Sequence, residues 1–134
     1  MRTLAVVAAS MLTVLGCTSV NPLRDLSGVD RIEIWDLRIQ DVHAKAKFIT
    51  DAGVIASVVS MVQGTGGGWR RGSFTPPSGY LRFRFLKSAQ EIAAIGVGPR
   101  FLVIWPSQSW YTKNISPEIE ANLQYIADLA QNPN

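Results

Sequence analysis

Residues 80–105 read YLRFRFLKSAQEIAAIGVGPRFLVIW, and their patterning decides the fold. Leu81, Phe83 and Phe85 alternate with Tyr80, Arg82 and Arg84, a period of two that predicts a strand over 80–87 with one buried and one wet face. Two apolar runs follow, 92–97 and 100–105, and Gly98-Pro99 between them predicts a hairpin connection. Three strands therefore come in succession.

Downstream, residues 106–109 turn the chain into a short strand over 110–113. Ser116-Pro117-Glu118 then supplies the N-cap, the first-turn proline and the acidic first turn of a helix running to about Ala130. Its core stripe is Ile119, Leu123, Ile126 and Ala130. Upstream, Val42, Ala44, Ala46 and Phe48 alternate with His43, Lys45 and Lys47, the pattern of a half-buried strand over 42–49. A further strand is predicted over 29–39, where Ile32 and Ile34 give way to Trp35, Leu37 and Ile39, a phase switch that a bulge or a crossing would produce. Thr50 and Asp51 begin a helix over 51–63 with Val54, Val58, Met61 and Val62 on one stripe, and Gly64 stops it. The order is ββαβββα with room for one extra short strand. Such an order predicts an α+β domain: a mainly antiparallel sheet of four to six strands packed on one face against two helices.

Composition agrees with a single packed domain. Of 134 residues, 47% are hydrophobic and 17% charged, unlike the apolar-poor, strongly charged make-up of disordered chains. One Cys excludes an internal disulfide and a multi-cysteine zinc site, and one His excludes the two-histidine metalloprotease motif. Neither a metal nor a cofactor is expected.

The amino terminus reads as an address. Met1 and Arg2 precede LAVVAASMLTVL at 4–15, an apolar run of signal-peptide length and short of the roughly 20 residues a membrane span needs. The predicted division is a signal peptide over 1–16, a polar tether over 17–28 broken by Pro22 and Gly28, and one α+β domain over 29–134. Val14-Leu15-Gly16-Cys17 resembles the lipobox of bacterial lipoproteins, in which a cysteine is lipidated before cleavage. That resemblance, confined to residues 1–17, implies that Cys17 carries diacylglyceryl through its sulfur and an acyl chain on its new amine, and that the chain belongs to the cell envelope. Thr18 in place of Asp after the cysteine resembles an outer-membrane signal, placing the protein on the periplasmic side if the source is Gram-negative.

One segment is chemically distinctive. Residues 64–80 (GTGGGWRRGSFTPPSGY) form a connection longer than most, with Trp69, Arg70, Arg71 and Phe74 set between glycines and the stiff pair Pro76-Pro77. Trp and Arg are enriched where partners bind, and the plain alternative is Trp69 folded back onto the core. The glycines match neither the P-loop nor the dinucleotide fingerprint. Over 70–100 six basic residues stand against Glu91 alone, so Tyr80, Arg82 and Arg84 form a candidate basic strand face. Basic residues interleaved with aromatics suit an anionic partner, and an exported domain calls for an envelope component or a protein rather than nucleic acid. The expected function is a non-enzymatic binding module held to the membrane by lipid on Cys17. Two rivals stand beside it: a structural subunit of an envelope assembly, and a small hydrolase using His43 with Asp41 and a nucleophile from Ser57, Ser60 or Ser73.

Overall fold

The computed structural model describes residues 22–23, 25–64, 68–73, 75–106 and 109–132. Residues 1–16 of the predicted signal, Cys17 and Phe74 lie outside the described residues. The chain order is β1 (Arg31–Asp36), β2 (Lys47–Ile49), α1 (Ala52–Gln63), β3 (Arg70–Arg71), β4 (Leu81–Lys87), β5 (Gln90–Gly98), β6 (Phe101–Ile104), β7 (Tyr111–Asn114) and α2 (Pro117–Leu129). The strands form one sheet in the order β2-β1-β4-β5-β6-β7-β3, with antiparallel pairing throughout. This is the α+β class that the patterning predicts, with seven strands in place of four to six. The additional strand is β3, whose two arginines carry no apolar alternation and so give no strand signal.

Local chemistry accounts for the helices. The Asp51 carboxylate caps α1 by accepting the Val54 N–H at 2.9 Å, and the Ser116 hydroxyl caps α2 by accepting the Ile119 N–H at 3.2 Å ahead of Pro117. Ile55, Val58 and Val62 are buried from α1, and Leu123 and Ala127 from α2. The predicted stripes are thus rotated slightly: Val54, Met61, Ile119 and Ile126 pack at the margin, half-buried. Against these helices lie Ile32, Ile34, Leu81, Phe83, Phe85, Ile95, Val97 and Leu102, all from one face of the sheet.

Two predicted strands are cut short by aspartates. β1 ends at Asp36, whose carboxylate accepts the Arg38 N–H at 3.0 Å, while Asp36 O accepts the Ile39 N–H. Ile32 and Ile34 face the helices and Glu33 and Trp35 face away, so the strand runs without the bulge or crossing expected; Trp35 is an aromatic on the open side. The strand expected over 42–49 contracts to Lys47–Ile49, because Asp41 accepts the His43 N–H at 2.9 Å and turns the chain, and Val42 stands 94% exposed. A third correction concerns the tether. Leu23 and Leu26 are buried members of the core cluster, so the domain recruits part of the stretch read as free linker.

Topology explains the length of 64–80. α1 leaves β2 at one edge of the sheet, and β3 pairs at the opposite edge. Twelve helical residues cover roughly 18 Å, whereas six strand spacings amount to roughly 29 Å. The connections on either side of Arg70 and Arg71 complete that crossing and return the chain to β4, an interior strand. Both edges are guarded: backbone hydrogen bonds between Phe48 and Gln131 close the outside of β2, and β3 presents two charged residues.

Candidate binding face

Residues directly opposed in an antiparallel sheet point to the same side. Trp35, Arg82, Gly96, Val103, Thr112 and Arg70 are opposed in sequence from β1 to β3, so they form one row across the face that the helices leave open. The neighbouring row holds Phe48, Glu33, Arg84 and Ala94. Small residues occupy the centre, and their size is needed there. A Cβ on Gly96 would stand 2.7 Å from Val103 Cγ1, so glycine is what lets that side chain lie across β5, with the Trp105 ring in ordinary contact at 3.8 Å.

Arg82 and Arg84, two residues apart on β4, have different fates. The Arg84 guanidinium donates from Nη1 to Glu33 Oε1 at 2.7 Å and from Nε to Glu91 Oε1 at 2.9 Å. Glu33 also accepts the Trp35 indole N–H at 2.5 Å. Burial pushes the Glu33 carboxyl upward, but the donors on Arg84 and Trp35 outweigh it and hold the group below its usual range. Arg84, with both acids on it, is correspondingly raised. Arg82 is exposed and has no hydrogen-bond or ion-pair partner among the described residues. Beside it opens a cleft of about 300 Å³ lined by Pro22, Leu23, Glu91, Ile92, Ala94, Trp105 and Pro106. Trp105, 47% exposed, forms its outer wall.

The residues expected from sequence are dispersed by this geometry. Trp69 is half-buried against the core cluster, with Lys113 Nζ 5.8 Å from its ring centre. Arg70 and Arg71 form β3, where Arg70 shares the open face with Arg82 and Arg71 Nη2 donates to Ser109 Oγ at 2.9 Å. Tyr80 does not belong to the basic face. At the end of β4 its ring turns toward α2, where the hydroxyl donates to Glu120 Oε2 at 2.6 Å and accepts from Gln124 Nε2, and Arg38 stacks above the ring. Burial and the Glu120 bond raise the Tyr80 hydroxyl. Of the predicted strand face, Arg82 alone has no partner among the described residues, and Arg84 is neutralised.

The hydrolase residues are not assembled. Asp41 and His43 share a turn instead of a strand, and among the described residues no hydrogen bond joins the His43 ring to an acid or a hydroxyl. Ser57 and Ser60 lie on α1, with Ser57 Oγ donating to Gly53 O. Among the described residues no three His, Cys, Asp or Glu come together as a metal site. Trp35, Trp105, Glu33 and Glu91 are site residues that pattern reading misses. The available signal was the tryptophan that closes each strand pattern, the alternating IEIW at 32–35 and the apolar FLVIW at 101–105. Comparison with protein-family models, with curated proteins and with solved structures finds no match to this chain.

Proposed function

We propose that this chain is a lipid-anchored, non-enzymatic module of the cell envelope whose open sheet face binds an anionic component there. One observation carries the binding half of this reading: a guanidinium without a partner among the described residues, Arg82, in a row with Trp35 and beside Trp105 at the edge of a cleft. An exposed Arg presents a planar fork of donors matched to phosphate or carboxylate, and indole rings add apolar area beside it. The anchoring half rests on Val14-Leu15-Gly16-Cys17 and the apolar run before it. A catalytic reading has less support, since the chain's one histidine stands on an exposed turn.

The test compares wild type with an Arg82→Gln, Trp105→Ala double variant in cells, cross-linking envelope components and identifying them by mass spectrometry. The expected result is a cross-linked component lost in the variant while the melting temperature stays within a few degrees. The same components in both would overturn the assignment of the face. Cys17→Ser should abolish incorporation of labelled palmitate, and label retained in that variant would overturn the anchor.

A further inference from the structure

We infer that the anionic component is the phospholipid surface of the same leaflet that holds the anchor, so that the protein meets its membrane twice, through acyl chains and through the open sheet face. This rests on the reading of Cys17 as lipidated.

Chain length supplies the first argument. Pro22 and Leu23 line the cleft beside Arg82 and Trp105. Cys17 precedes Pro22 by five residues, which span at most about 18 Å when fully extended. An anchor at Cys17 therefore keeps the cleft beside Arg82 and Trp105 within that reach of the head groups.

Charge supplies the second. On the open face Arg31, Arg70, Arg82 and Arg84 stand against Glu33 and Glu91, and both acids are spent on Arg84. Arg82 and Arg70 are left four strand spacings apart, roughly 19 Å, which suits separate phosphates on a surface better than one small ligand.

The third observation selects a bilayer over an acidic glycan. Beyond Trp35, at the same end of the sheet as Arg82, the β1–β2 connection exposes Leu37 and Ile39 by more than half and Val42 almost entirely. Three of the six exposed large hydrophobics among the described residues thus fall in one short loop, followed by the exposed Lys45. Aliphatic side chains give no advantage against a hydrated sugar, whereas exposed apolar side chains next to a lysine, with Trp35 and Arg82 at the same end of the sheet, match the boundary between head groups and acyl chains.

The full lipidated protein, reconstituted in vesicles, provides the test. Tryptophan quenching by acyl-chain-brominated lipid is measured in phosphatidylcholine alone and with phosphatidylglycerol added, and the Trp105→Phe variant isolates the Trp105 signal. The expected result is quenching of Trp105 that rises with phosphatidylglycerol, weakens in salt, and falls with Arg82→Gln or Val42→Asp but much less with Arg82→Lys. Each lost charge near an anionic surface should lower the docked-to-undocked ratio roughly fivefold. Quenching of Trp105 indifferent to phosphatidylglycerol, or unchanged in Arg82→Gln, would overturn the inference. Because the mass of the protein reports the acyl chains on Cys17 independently, an acylated protein with indifferent quenching overturns the docking and keeps the anchor, while a protein without acyl mass overturns both.

Discussion

Glu33 and Arg84 face each other directly across β1 and β4, and Nη1 of Arg84 donates to Oε1 of Glu33 at 2.7 Å. Glu33 is nearly buried, so its charge depends on that partner and on the Trp35 indole. Glu33→Ala removes an acceptor of two donors, and charge-assisted bonds of this kind are worth about 1.5–3 kcal/mol. The expected loss is about 2 kcal/mol in urea unfolding. Membrane docking should move in the opposite direction, since the substitution leaves Arg84 with Glu91 alone and makes the face more positive. A variant both less stable and weaker on phosphatidylglycerol vesicles would contradict the division of labour between Arg84 and Arg82.

The same pair marks how far the sequence could be read. Leu81, Phe83 and Phe85 announce β4 because a period of two survives in any context where one face is buried, and the caps Asp51 and Ser116 announce the helices through local hydrogen bonds. That Arg84 is spent while Arg82 has no partner among the described residues depends on which residues lie opposite on β1 and β5, a matter of register between segments 51 and 7 residues apart. Composition cannot supply register. Val42, Ala44 and Ala46 show the reverse failure: a strand-like alternation with no strand beside it, because Asp36 and Asp41 turn the chain before a partner is reached.

Trp69 is the residue whose role changes most between pattern and packing. With its ring against the core cluster and under Lys113, Trp69→Ala should remove a half-buried aromatic and destabilise the domain by about 2–3 kcal/mol. Thermal unfolding measures this directly. An unchanged melting temperature together with lost partner binding would restore Trp69 to a surface role.

Acid should loosen the contact between β4 and α2. Glu120 accepts the Tyr80 hydroxyl and the Arg100 N–H, and these bonds hold its carboxyl below the ordinary range. A carboxylate lowered in the folded state stabilises it fully above the unfolded value, about 4.3, and that stabilisation is lost as pH falls through the folded value. Asp25, Glu33 and Asp36 are lowered as well and act in the same direction. The urea midpoint should therefore fall below about pH 5, and less steeply in Glu120→Gln, which has one fewer such group. Tyr80→Phe should cost about 1 kcal/mol at neutral pH; a wild-type midpoint unchanged down to pH 3 would show that these bonds do not stabilise the fold.

The turn between β4 and β5 stores strain that can be removed. Ser88 and Ala89 are its two central residues, with φ of 50° and 65°, a left-handed pair that a tight hairpin requires and that glycine or asparagine ordinarily supplies. Each non-glycine residue there costs roughly 1–2 kcal/mol, partly offset by the extra backbone entropy that glycine loses on folding. The Ser88 N–H also donates to Asp30 Oδ2 at 3.0 Å, which ties the turn to the start of β1 and makes Ala89 the safer position to change. Ala89→Gly should raise stability by about 0.5–1 kcal/mol, a gain of roughly 2–5 °C in Tm for a domain of this size. Since the turn lies at the end of β4 away from Arg82, vesicle docking should be unaffected. A lower Tm in Ala89→Gly would mean that the alanine methyl contributes more by packing than its backbone conformation costs.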